Sequence, residues 1–128
     1  MVIVTNNPKV KNGEMKDSIV WVAGSIEDVF EKVKELVIDD KYRLLSHPLS
    51  GSIKPNETYY KSIMLDDSNF DYSDLSSLEL IEQAIAVYEK FMANKRRPNW
   101  STEILNDFAR VDYFLIQSAI QSAITYKK

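Results

Sequence analysis

The chain contains no cysteine, which removes disulfides, thiolate metal sites and thiol nucleophiles together. Its single histidine leaves no imidazole pair to hold a metal. Asp66, Asp67, Asp71 and Asp74 do not follow a calcium-loop spacing, so neither a metal nor another cofactor is expected. No apolar run approaches the roughly 20 residues needed to cross a bilayer. The start, Met1-Val2-Ile3-Val4-Thr5-Asn6-Asn7, lacks a basic region followed by a long hydrophobic stretch. The expectation is a cytoplasmic protein with no membrane partner. Glycine is scarce at three residues and proline at four, with no linker or internal repeat, so residues 1–128 read as one domain.

Of the residues present, 45% are apolar and the formal charge is -3. That content is enough for one packed core, and lysine and glutamate are scattered rather than sorted onto a basic face, which argues against nucleic-acid binding. Lys95-Arg96-Arg97 is the exception, and it follows a helical pattern whose C-terminal dipole it would complement.

The pattern along the chain alternates. Residues 1–5, 18–23, 42–46 and 59–65 read as strands. Asn7 and Pro8 form a helix-start signal for a short helix over residues 8–15 that ends near Gly13. Ile26, Val29, Phe30, Val33, Leu36 and Val37 share a helical face, capped by Ser25 with Asp28 in the first turn. Two long helices follow. The first carries Leu75, Leu78, Ile81, Ala84, Ile85, Tyr88, Phe91 and Met92 on one side, and the second Ile104, Leu105, Phe108, Val111, Leu115, Ala119 and Ile120. This predicts an α/β domain with a small, mostly parallel sheet of about four strands, flanking helices and two long C-terminal helices. The second strand, the helix and the third strand would form a right-handed parallel unit.

If the first three strands are parallel, their C-terminal ends meet at one edge, and each ends in small polar residues: Asn6-Asn7, Gly24-Ser25 and Ser46-His47. Ligands of open α/β sheets bind outside that edge. The bland reading is that turns and caps need such residues anyway. The segment after the third strand is richer, holding His47, Pro48, Ser50, Gly51, Ser52, Lys54, Pro55, Asn56 and Glu57. Amides around Gly51, the hydroxyls of Ser50 and Ser52, and the Lys54 amine would make a cradle for phosphate or carboxylate. A structural loop that uses its serines for local turns competes with that reading. His47 is the candidate acid or base, with Glu57 to orient it.

The motif His47-Pro48-Leu49-Ser50-Gly51-Ser52-Ile53-Lys54-Pro55-Asn56-Glu57-Thr58, followed by Tyr60-Lys61-Ser62, resembles the GrdX-like family, small proteins encoded beside glycine reductase components in amino-acid-fermenting anaerobes. Val4-Thr5-Asn6-Asn7-Pro8, Glu27-Asp28-Val29-Phe30-Glu31-Lys32-Val33 and Leu78-Glu79-Leu80-Ile81-Glu82 extend the likeness over most of the chain. One departure is Tyr59, where the family pattern has proline. The resemblance implies an accessory role in glycine reduction, with glycine reductase components as partners, and assigns no catalytic residue.

The leading expectation is therefore a non-enzymatic accessory protein binding a small anionic metabolite or a partner through Asn6, Asn7, Gly24, Ser25, His47, Ser50, Gly51, Ser52, Lys54 and Asn56. One alternative is a small enzyme with His47 as acid or base. The other is an interaction module or homodimer that packs through the small residues Ala109, Ser118, Ala119, Ser122 and Ala123.

Overall fold

The β-branched start of the chain forms β1, Val2–Thr5, every residue of which is buried. Asn7 then caps α1, Pro8–Lys11, its side chain accepting from the Lys9 amide, with Pro8 in the first turn, where its missing N–H costs nothing. The computed structural model describes residues 1–13, 18–49, 59–93 and 99–126, with side chains to residue 122. In it follow β2 (Ser18–Trp21), α2 (Ile26–Asp39), β3 (Arg43–Leu44), β4 (Ser62–Asp66), α3 (Leu75–Met92) and α4 (Thr102–Tyr126). Among the described residues, no helix is long and apolar enough to cross a membrane.

The sheet is mixed, in the order β2-β1-β4-β3. This corrects the expected mostly parallel sheet: β1 pairs with β2 in parallel, whereas β4 runs antiparallel to both β1 and β3. The reason is that β4 returns between β1 and β3 and takes a central position, which its Ile63-Met64-Leu65 run, buried on both faces, is built for. The β2-α2-β3 unit therefore joins strands of common direction that are not neighbours. The third strand is two residues long, and regular pairing stops where the Leu45 and Ser46 amides both donate to the Met64 carbonyl, at 2.8 and 3.3 Å, while the Ser46 hydroxyl accepts from the Met64 amide at 2.9 Å. The first helix is one turn long rather than reaching residue 15, and it closes with the Asn12 amide donating to the Pro8 carbonyl at 2.9 Å and the Gly13 amide to the Val10 carbonyl at 3.4 Å.

Period-two alternation sorts the strands onto two cores. Val4, Ile63 and Leu65 face α2 and α3, where they join Phe30, Val33, Ile81 and Tyr88. Phe30 and Tyr88 meet edge to face, with ring centroids 5.7 Å apart. Ile3 and Met64 face the other way, against Val10 of α1 and Ile116 of α4. The result is a sheet covered on both faces.

The apolar face expected of α4 is met in part, since Ala119 and Ile120 pack beside Ile116 against the core. Ile104, Val111 and Leu115 are exposed, while Ala109, Asp112 and Ile116 point inward. Leu75 is likewise exposed at the start of α3. In α4 the helix is turned so that a carboxylate, not an aliphatic side chain, meets the end of the sheet.

After α2, Lys41 takes a left-handed backbone (φ 58), and the Tyr42 amide reaches back to the Leu36 carbonyl at 3.1 Å. This is the C-terminal turn in which glycine is favoured. Lys41→Gly is expected to raise stability by about 1 kcal/mol, less what is lost with the exposed bond from Lys41 Nζ to the Asp71 carbonyl. A urea midpoint at or below that of the parent would contradict this.

Candidate functional site

Because β3 is antiparallel to β4 and β4 to β1, the strands β1, β2 and β3 all run one way, and their C-terminal ends share one edge of the sheet. The N-terminal end of β4, Lys61-Ser62, lies at the same edge. The chain ends there are joined through side chains. Asn6, buried after β1, donates from Nδ2 to the carbonyls of Gly24 at 3.1 Å and Tyr59 at 3.0 Å, and accepts from the Lys61 amide at 2.9 Å. One asparagine side chain thus ties the end of β1 to the end of β2 and to the entry into β4.

Asp112 of α4 gathers the other half. Its Oδ1 accepts from the Ser62 amide at 3.0 Å, and its Oδ2 accepts from the Ser62 hydroxyl at 2.6 Å and from Asn7 Nδ2 at 3.0 Å. Since Ser62 gives its one hydroxyl proton to Asp112, the 2.7 Å contact between Thr5 and Ser62 is a bond donated by Thr5. Thr5 Oγ1 in turn accepts from the Asn7 amide at 3.0 Å. The chain of donors therefore runs in one direction and terminates on the carboxylate. Asn7 spends its remaining capacity on the Ala109 carbonyl at 2.8 Å and on capping α1.

The electrostatics follow from burial. Asp112 is 7% exposed and Lys61 4%. Desolvation raises the Asp112 pKa, against the opposing pull of the Ser62 and Asn7 hydrogen bonds and of the Lys61 charge. Desolvation lowers Lys61 to about 8, while the Asp112 charge acts to raise it. Burial also pushes the Tyr60 phenol up, with Tyr59 adding to the effect.

Beside this cluster, Ser46, His47, Ser62, Asp112, Leu115, Ile116 and Ala119 line a recess of ≈ 30 Å³, which has room for water rather than for a metabolite. His47 is exposed, and its Nδ1 accepts from the Leu49 amide at 3.1 Å, which in the neutral ring leaves the proton on Nε2.

The sequence-predicted residues divide accordingly. Asn6, Asn7, Gly24 and His47 come to the same edge. Ser25 is the α2 cap: its hydroxyl accepts from the Asp28 amide at 3.3 Å, and its own amide donates to Asp28 Oδ2 at 2.9 Å. Ser50, Gly51, Ser52, Lys54, Asn56 and Glu57 lie outside the described residues, as do Lys95-Arg96-Arg97. Of the small residues on α4, Ala109 is buried, while Ser118 and Ser122 are exposed. Asp74 caps α3, accepting from the Ser77 amide at 3.2 Å, and Asp66 accepts from the Ser68 amide at 2.9 Å. The pattern reading misses Asp112 and leaves Lys61 and Ser62 unassigned. The signal for Asp112 is a lone carboxylate spaced three or four residues from Ala109 and Ile116 on an otherwise apolar arc.

A family model described as GrdX-like protein matches residues 2–121, nearly the whole chain. No curated protein and no solved structure matches.

Proposed function

Because the chain belongs to the GrdX-like family, we propose that it is an accessory protein of glycine reductase-type amino-acid fermentation that binds a small anion at the edge where β1, β2 and β3 end. The observation that carries this reading is the gathering of Asn6, Asn7, Gly24, Ser46 and His47 around the entry to β4, where Lys61 is buried with its charge near that of Asp112. A buried ammonium beside converging strand ends favours an anion there by long-range attraction, little screened because water is excluded. Ser50, Gly51, Ser52, Lys54 and Asn56 follow His47 closely in the sequence, and their amides, hydroxyls and amine are the proposed remainder of the cradle.

The test is a titration of the isotopically labelled protein with inorganic phosphate, acetate and acetyl phosphate, followed by amide chemical shifts. Saturable shifts at Ser46, His47, Leu49 and Lys61, weakened about tenfold in a Lys61→Gln variant that retains its fold, are the expected outcome. Shifts confined to remote surface lysines, or none at all, would overturn the reading.

A further inference from the structure

The opposite border of the sheet is an open strand edge. Among the described residues, β2 pairs only with β1. The Val22 amide donates to the Thr5 carbonyl at 2.8 Å, so by strand alternation Ser18, Val20 and Val22 turn their main-chain groups toward β1, and Ile19 and Trp21 turn theirs outward. Neither Ile19 nor Trp21 has a main-chain partner on that side among the described residues. A row of this kind is a template for another strand.

Alongside the same edge runs a groove of ≈ 640 Å³, walled by Trp21 of β2, by Val22 just after it and by the outer side of α2. The α2 wall presents four carboxylates, Asp28, Glu31, Glu35 and Asp39, against two lysines. Both lysines are engaged, Lys32 with Glu35 at 3.4 Å and Lys34 with Glu82 at 3.6 Å. Asp28 is held by the Ser25 cap, which leaves Glu31 and Asp39 as the groove carboxylates with no ion pair among the described residues. On the other face of the edge lie Ile19, which packs on the α1 and α4 side, and the Trp21 ring with Lys11 4.7 Å from its centroid.

We infer that the β2 edge is a docking site for an extended segment of a partner protein that alternates basic and apolar residues and joins the sheet as a fifth strand. Its main chain pairs with Ile19 and Trp21, its basic side chains fall on the α2 wall, and its apolar side chains fall beside Ile19 and Trp21. The charge pattern selects this occupant over a second copy. A β2 strand from another molecule, Ser18-Ile19-Val20-Trp21, contains no basic residue and would set aliphatic side chains against Glu31 and Asp39.

The probe is the peptide acetyl-Lys-Val-Lys-Val-Lys-Val-Lys-amide, compared with two versions N-methylated at every valine or at every internal lysine. In a paired strand only one of these two sets of amides faces β2. The expected result is that one methylated peptide binds at least about tenfold more weakly than the parent while the other binds equally well. Amide shifts should center on Ile19 and Trp21. Glu31→Lys combined with Asp39→Lys, two exposed helix substitutions, should weaken the parent peptide by about tenfold or more. The inference is overturned if both methylated peptides keep parent affinity, if both lose it equally, or if the charge-reversed protein, folded by circular dichroism, binds as well as before. A concentration-dependent dimer that protects the Ile19 and Trp21 amides would assign the edge to a second copy and overturn it as well.

Discussion

Asp112→Ala is expected to lower the unfolding free energy by about 3 kcal/mol or more, through donors left without an acceptor. The carboxylate receives the Ser62 amide, the Ser62 hydroxyl and Asn7 Nδ2. Asn7 keeps the Ala109 carbonyl, and the Thr5 and Ser62 hydroxyls can reverse their donor order. The Ser62 amide has no such recourse at the start of β4. Asp112→Asn should cost less, because its carbonyl can still receive that amide, but its NH₂ then confronts Asn7 Nδ2. The expected ranking in urea is therefore parent, then asparagine, then alanine, with unchanged m-values. Equal stability of parent and alanine variants would mean that the network contributes nothing net. The pH dependence has a definite sign. Asp112 has its pKa raised in the folded state, so its carboxyl is held protonated to higher pH there than in the unfolded chain. The cost of burying the charge grows as pH rises through that window and disappears on acidification below the unfolded value, a contribution absent from the asparagine variant.

The parts of the fold that were legible in the sequence are those where one local signal decides. Asn7-Pro8 and Ser25 with Asp28 fix helix starts because side-chain acceptors for free amides act within three residues. The six-residue apolar stripe from Ile26 to Val37 is buried as its spacing requires. Strand neighbours were not legible, because the unbroken apolar run Ile63-Met64-Leu65 fits a strand covered on both faces but does not say which strands flank it. The shared edge nevertheless survives the change of topology, since β3 keeps the direction of β1 and β2 when β4 is inserted. The α4 face was misread at Ile104, Val111 and Leu115, though not at Ala119 and Ile120, for a physical reason of its own. Aliphatic periodicity weighs Val111 and Leu115 over Asp112, but three waiting donors at the sheet end outweigh the burial of two aliphatic side chains. The same error concealed half of the candidate site, for only the N-terminal asparagines and the His47 segment announce themselves by residue type.

Lys61→Met is expected to change the pH dependence of stability more than its value at any one pH. The Lys61 amine, 4% exposed, has its pKa lowered to about 8 from 10.5. Below about 8 both folded and unfolded chains carry the charge, and the folded state bears the full desolvation cost. Between about 8 and 10.5 the unfolded chain holds more protons than the folded one, so stability rises with pH. Over the whole window the rise attributable to this residue is about 3 kcal/mol, and methionine, similar in length and without an ionisable group, removes it. Parent and variant unfolding free energies, measured at intervals from pH 7 to 10.5, should therefore draw together or cross in favour of the parent as pH increases. Asp112 acts against the gain from removing the amine, since it loses a charge that lowers its own pKa; Lys61→Met combined with Asp112→Asn separates the two. If the parent and the single variant keep a constant difference across the range, the amine does not titrate in the folded protein as its burial requires, and the buried ammonium on which the anion site rests loses its physical basis.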